Sequence, residues 1–142
     1  MKYMLLMQFS GRQSDEIPPI GTWSAEEFRA HIDFMTETNR KLIADGEFVE
    51  AQGLAGRETA RIVRASAGGP PLITEGPFAE TKEFLAGYWI VDCEDEDRAL
   101  AIAAHVSTAP GPGGRPLNMP IEVRQVMSGP PTEAEREAAA GR

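Results

Sequence analysis

The sequence predicts an α+β domain built as two β-α-β passes around an inserted β-hairpin. Three observations carry this expectation. Short apolar runs with two-residue alternation occur near residues 2–9, 87–91 and 119–127. Two stretches with helix-start signals and helical apolar spacing, near 24–45 and 94–106, lie between them. A hydrophobic content of 42% in 142 residues fits one domain with a core that needs no staples.

In the first strand, Tyr3, Leu5, Met7 and Phe9 share one face and Met4 and Leu6 the other, so both faces call for cover. A polar loop containing Pro18 and Pro19 comes next. Ser24 and Glu27 then have the spacing of a capping box and open the first helix. Phe28, Ile32, Met35 and Leu42 mark its apolar stripe, and Gly46 its stop. Residues 47–52 enter a second strand. The runs 61–64 and 72–73 flank the turn signal Ala67-Gly68-Gly69-Pro70 and predict a hairpin. Thr74 to Lys82 reads as a loop, and Gly87 to Val91 as a β-prone central strand.

The second helix opens with an acidic turn, Glu94 to Asp97, that complements the helix dipole, and buries a narrow stripe of Ala99, Leu100, Ala103 and Val106. Residues 107–118 are irregular and rich in proline and glycine. In the last strand, about 119–127, Ile121, Val123 and Gln125 share one face and Glu122, Arg124 and Val126 the other. The domain is therefore expected over 1–128. In the remaining 129–142, Thr132 and Glu135 repeat the capping-box spacing, but only alanines form an apolar face, so a frayed helix or flexible tail is expected.

This order is the ferredoxin-like pattern, a split βαβ with an inserted hairpin. Two helices cover one sheet face. A second copy of the chain is the simplest cover for the other, which predicts a homodimer whose sheets face each other across a dimeric α+β barrel with a cleft.

Fourteen basic residues against twenty-two acidic ones give a net charge of −8, so the basic stripe of a nucleic-acid binder is absent and no such partner is expected. The apolar opening run is too short to span a membrane and no small-residue cleavage site comes after it, so the chain reads as cytoplasmic, without a membrane partner. Cys93 stands alone and allows no intrachain disulfide. With two histidines, one cysteine and neither CxxC nor HExxH spacing, no metal site is expected. The Pro-Gly stretch does not run into a Gly-Lys-Ser/Thr, so it is not a phosphate-binding loop, and no cofactor is expected.

The run Thr74-Glu75-Gly76-Pro77-Phe78-Ala79-Glu80-Thr81-Lys82-Glu83 resembles the signature of the YCII-related family, whose DGPF branch is named after an Asp-Gly-Pro-Phe run in this loop. Gly87-Tyr88-Trp89-Ile90-Val91-Asp92 is similar to that family's next strand, and Gly113-Gly114-Arg115-Pro116-Leu117 with Ile121-Glu122-Val123-Arg124 to its closing segment. The resemblance runs from the first strand to about residue 127. It implies a dimerising ferredoxin-like domain, a histidine–aspartate pair as possible catalysts, kinship with a dehalogenase of chlorinated muconolactones, and a frequent association with alternative sigma factors. Here the acid of the DGPF run is Glu75, one methylene longer, and no motif ties His31 to the family's histidine.

Two functions stand as alternatives. One is a cofactor-free enzyme that moves a proton on a small anionic or lactone-like substrate. Glu75, held by the stiff Gly76-Pro77 turn, is its candidate base, with His31 as a second catalytic candidate. Lys82 and Arg124 are candidate anion clamps; Glu122 stands beside Arg124, and Trp89 or Tyr88 lines the cleft. The other is a non-catalytic module that binds a small molecule or a protein in a sigma-factor-linked circuit. Each residue also has a structural role open to it. Glu75 can build its turn, Lys82 can sit in a solvated charge cluster, and Glu122 with Arg124 can form an intersubunit salt bridge. His31 and Trp89 can be packed side chains, and His105 suits the C-terminal end of its helix. Cys93, among acids, is not expected to be a nucleophile.

Overall fold

The structure, a computed structural model, describes residues 1–10, 17–18, 20–56, 59–75, 83–127, 129 and 131–141. Its strands are β1 (Lys2–Ser10), β2 (Phe48–Gly53), β3 (Arg61–Arg64), β4 (Leu72–Glu75), β5 (Glu83–Asp92) and β6 (Ile121–Gln125). Its helices are α1 (Ala25–Ala44), α2 (Glu96–Ser107) and α3 (Glu133–Ala140), with short 3-10 turns at Ile20–Thr22 and Pro112–Gly114.

Four strands form one sheet in the order β2-β5-β1-β6, and every neighbouring pair is antiparallel. β3 and β4 form a separate two-stranded sheet. The architecture is α+β, with α1 and α2 on one face of the large sheet. Alternation along β1 produces this layering. Tyr3, Leu5 and Met7 point into the core, where Trp89 and Val91 of β5 and Leu42, Ile102 and Val106 of the helices join them. Leu5, Val91 and Val106 are completely buried. Ile121 and Val123 pack against the same cluster from β6.

Local signals set the ends of α1. Ser24 Oγ accepts the Glu27 N–H (3.1 Å) while Glu27 Oε1 accepts the Ser24 N–H (2.8 Å). At the other end Gly46 takes a left-handed φ of 71°, and the N–H groups of Glu47 and Gly46 return to the carbonyls of Leu42 and Ile43.

The buried stripe of α1 differs from the expected one. Phe28 and Ile32 are 46% and 43% exposed, whereas His31 and Thr38 are buried with Leu42. The helix is rotated so that two polar residues point inward, and each has a partner there. His31 Nδ1 meets the Pro110 carbonyl at 3.0 Å, and Thr38 Oγ1 meets His105 Nε2 of α2 at 3.2 Å. A buried polar group with its bond made costs little, so sequence hydropathy alone misplaces this face.

β5 begins at Glu83, four residues before the predicted strand, and a bulge between Met7 and Gln8 absorbs the change in register with β1. The tail carries α3, capped by Thr132 and Glu135 as their spacing predicted, with every described residue exposed. No helix among the described residues is long and apolar enough to cross a membrane.

Gly87 lets β2 lie close to β5. A Cβ there would stand 2.8 Å from the Gln52 carbonyl oxygen, a backbone atom with no freedom to yield. Gly87→Ala is expected to cost about 1–3 kcal/mol by overpacking, read as a lower urea midpoint at unchanged slope. A midpoint equal to wild type would refute the close approach.

Candidate functional site

The face of the sheet turned away from the helices has no cover from the described chain. The pleat sends Met4, Leu6 and Gln8 of β1 to this side, opposite Arg124 and Glu122 of β6 and Ile90 and Tyr88 of β5. Met4, Leu6, Tyr88 and Ile90 are half-buried side by side, giving an apolar centre. A bulge between Phe48 and Glu50 leaves Phe48 in the core and turns Glu50 onto the open face.

Two hydrogen-bonded pairs flank the apolar centre. Tyr88 donates its hydroxyl to Glu50 Oε1 at 2.9 Å, and Gln8 donates Nε2–H to Glu122 Oε2 at 2.6 Å. The Tyr88 phenol is pushed above its ordinary value, first by the bond to the Glu50 carboxylate and then by burial, so it keeps its proton at neutral pH. Arg124 stands two residues from Glu122 on the same side, and among the described residues no ion pair or hydrogen bond engages its guanidinium. An uncommitted guanidinium next to half-buried apolar surface can take a carboxylate with two parallel hydrogen bonds.

A second polar cluster lies on the helix side. The Trp23 ring meets His31 edge-on at 5.4 Å, and the indole N–H donates to the Pro18 carbonyl at 2.8 Å. Because a carbonyl only accepts, His31 Nδ1–H is the donor to the Pro110 carbonyl. Glu27 accepts the Gly113 N–H in addition to that of Ser24. His31 and Glu27 thus tie α1 to the Pro-Gly loop. Beside this loop a groove of about 370 Å³ is lined by Pro18, Pro112, Arg115 and Leu117.

The predicted site residues therefore occupy different places. Glu122 and Arg124 share the open face. Trp89 does not reach it: it is 4% exposed in the core, with its indole N–H on Asn39 Oδ1 at 2.9 Å, and Tyr88 is the aromatic residue on the open face. His31 lies beyond the sheet, on the helix layer. Glu75 ends β4 opposite Arg61, but its side chain lies outside the described residues, as do Lys82 and the loop 76–82. The sequence reading missed Glu50 and Gln8. Gln8 was within reach, since strand alternation puts it on the face of Leu6.

His105 stacks on Phe34 at 4.8 Å and joins the two helices. The Cys93 thiol is raised first by burial and then by the Glu47 charge, a poor nucleophile for a stronger reason than its acidic neighbours alone. Among the described residues, no group of three or more His, Cys, Asp and Glu side chains is placed to hold a metal ion.

Comparison with known proteins is consistent with this architecture. The chain matches the YCII-related domain over residues 1–111. It is similar to an uncharacterised protein, R00369, of Rhizobium meliloti (strain 1021), with 36% identity over 87 residues, covering 61% of this chain and 69% of the relative. The domain match ends before β6, although β6 pairs with β1 and supplies Glu122 and Arg124.

The Glu27 contacts make acid sensitivity local. Its carboxyl is held below the ordinary range, first by the Ser24 N–H and then by the Gly113 N–H. Folding therefore favours the ionised form. The stabilisation is complete above the unfolded-state value and is lost as pH falls through the lowered one. Glu27→Gln should flatten that part of the acid limb in Tm measured from about pH 6 to about pH 3, the range where glutamates titrate. Superimposable wild-type and variant profiles would sink this assignment.

Proposed function

The chain belongs to the YCII-related domain family, and we propose that it is a cytoplasmic homodimer of ferredoxin-like domains acting as a cofactor-free proton-transfer enzyme. In this reading two open sheet faces meet across an α+β barrel and enclose a small anionic or lactone-like substrate. The observation that carries it is the open face itself: a half-buried apolar centre flanked by two carboxylates with neutral hydrogen-bond donors, and by one uncommitted arginine.

Each group has a role that its chemistry suits. Arg124 pairs with the substrate carboxylate, or with the carbonyl oxygen of a lactone. A carboxylate, Glu122 or Glu50 of the face or Glu75 delivered from the neighbouring loop, removes a proton from the carbon next to a carbonyl. The electron pair of the broken C–H bond moves onto the carbonyl oxygen, and the proton later returns from the same acid. Tyr88, which keeps its proton at neutral pH and donates it to Glu50, holds that carboxylate in place on the face. Lys82 supplies a second cation for the anion. His31, on the far layer, keeps only an indirect role, positioning the Pro-Gly loop.

The protein-binding alternative is favoured by a different observation, the exposed apolar side chains of the β3–β4 hairpin. The two readings separate on proton exchange. Small carboxylic acids and lactones should raise the wild-type Tm, since a ligand at a hundred times its Kd adds ~2.7 kcal/mol to native stability. In Arg124→Ala the shift should shrink. The same compounds in D2O should gain deuterium next to the carbonyl with wild type, and lose that exchange in the Glu50→Gln, Glu122→Gln double variant. A shift without exchange would favour the binding module. No shift with any such compound would reject the site.

A further inference from the structure

We infer that β6 pairs edge to edge with β6 of a second copy of this chain, antiparallel about a two-fold axis at Val123. This contact is separate from the face-to-face dimer proposed above and does not rest on it. β6 is an outer strand of the four-stranded sheet, bonded to β1 alone. The Val126 N–H donates to the Lys2 carbonyl, and hydrogen-bonded pairs recur at every second residue of an antiparallel ladder. Glu122 and Arg124 therefore turn their backbone groups toward β1, opposite Leu6 and Met4. Ile121, Val123 and Gln125 turn theirs outward, where no described strand meets them. Such an edge is a template for another strand. The opposite edge, β2, is blunted by the bulge between Phe48 and Glu50.

The side chains of β6 select a second copy as the incoming strand. The strand reads Ile121-Glu122-Val123-Arg124-Gln125, with opposite charges on either side of Val123. An antiparallel copy centred on Val123 places Glu122 opposite the partner's Arg124, and Arg124 opposite the partner's Glu122. Opposite charges directly across a ladder attract. Centring the axis on Glu122 or on Arg124 would instead set two like charges face to face. Charges on an outer strand ordinarily ward off pairing; these two ward off the neighbouring two-fold registers and admit the one between them. Glu122 takes the Gln8 bond through Oε2, which leaves Oε1 for the arginine. A guanidinium has more donors than one carboxylate uses, so Arg124 can still hold a small anion on the open face.

The helix side of the edge is complementary as well. Ile121 and Val123 are half-buried and, with Leu100, Ala103 and Ser107 of α2, line a groove of about 370 Å³ between helix and strand. Leu100 is 48% exposed there. A two-fold axis normal to the sheet keeps both helix layers on the same side. The two grooves then lie side by side across the axis, and Val123 packs against its counterpart. Main-chain bonds, opposite charges and apolar surface are each self-complementary, as a contact between identical patches requires.

Amide exchange followed residue by residue tests the edge apart from any face-to-face contact. The Ile121, Val123 and Gln125 amides should gain protection as protein concentration rises. Those of Glu122 and Arg124, bonded to β1, should be protected at every concentration. Gln125→Pro removes one outward N–H at an exposed position without touching the bonds to β1, and it should lower that gain in protection. In sedimentation equilibrium at low salt, Glu122→Arg and Arg124→Glu should each self-associate on the order of tenfold more weakly than wild type. Their equimolar mixture should associate again, because each variant then meets the opposite charge. Outward amides that exchange at one rate at all concentrations would overturn the pairing: if open, the edge is left to another protein, and if protected, it is held by the chain itself. A mixture that associates no better than its components would overturn it too. A wild type that still dimerises in either case would leave the face-to-face contact standing alone.

Discussion

The molecule depends on one strand that is apolar on two sides. β1 runs through the middle of the sheet, bonded to β5 on one edge and β6 on the other. Its odd residues, Tyr3, Leu5 and Met7, are buried by α1 and α2. Its even residues, Met4 and Leu6, are equally apolar and only half-covered. A strand cannot be apolar on both faces and leave one open to water without cost. The helix layer satisfies half of this demand within the chain. The other half shapes the rest of the surface, because the polar groups on the open side, Tyr88 with Glu50 and Gln8 with Glu122, are arranged around that unfinished apolar centre.

Much of the fold was legible in the sequence because its signals are local. Ser24 with Glu27 and Thr132 with Glu135 form capping boxes as their spacing requires, and Gly46 closes α1. The α+β order and the hairpin came from alternation and turn residues. The α1 stripe was not legible. Burial of His31 and Thr38 depends on hydrogen-bond partners far away in sequence, at Pro110 and His105, which no local pattern reveals. β5 illustrates a different limit. Alternation tells that Tyr88 and Trp89 face opposite ways, but only the side on which the helices pack decides which one enters the core.

The candidate site was legible only in part. Glu122 and Arg124 were placed on the open side because β6 is regular. Glu50 was hidden by a bulge: an unbroken strand would put it on the face of Phe48, in the core, and the extra residue turns it outward. Bulges leave little trace in a single sequence, yet here one decides which carboxylate meets Tyr88.

The polar contacts of α1 also bear on how such a chain can drift over evolutionary time. Thr38 and His105 complete each other across two helices, side chain to side chain. A change at either position strands the other unless both move together, so the two should covary among relatives. His31 is held by a backbone carbonyl, which any residue at position 110 would offer. Its neighbour can vary without consequence for the ring, and position 31 can be retained alone while the loop sequence around it diverges.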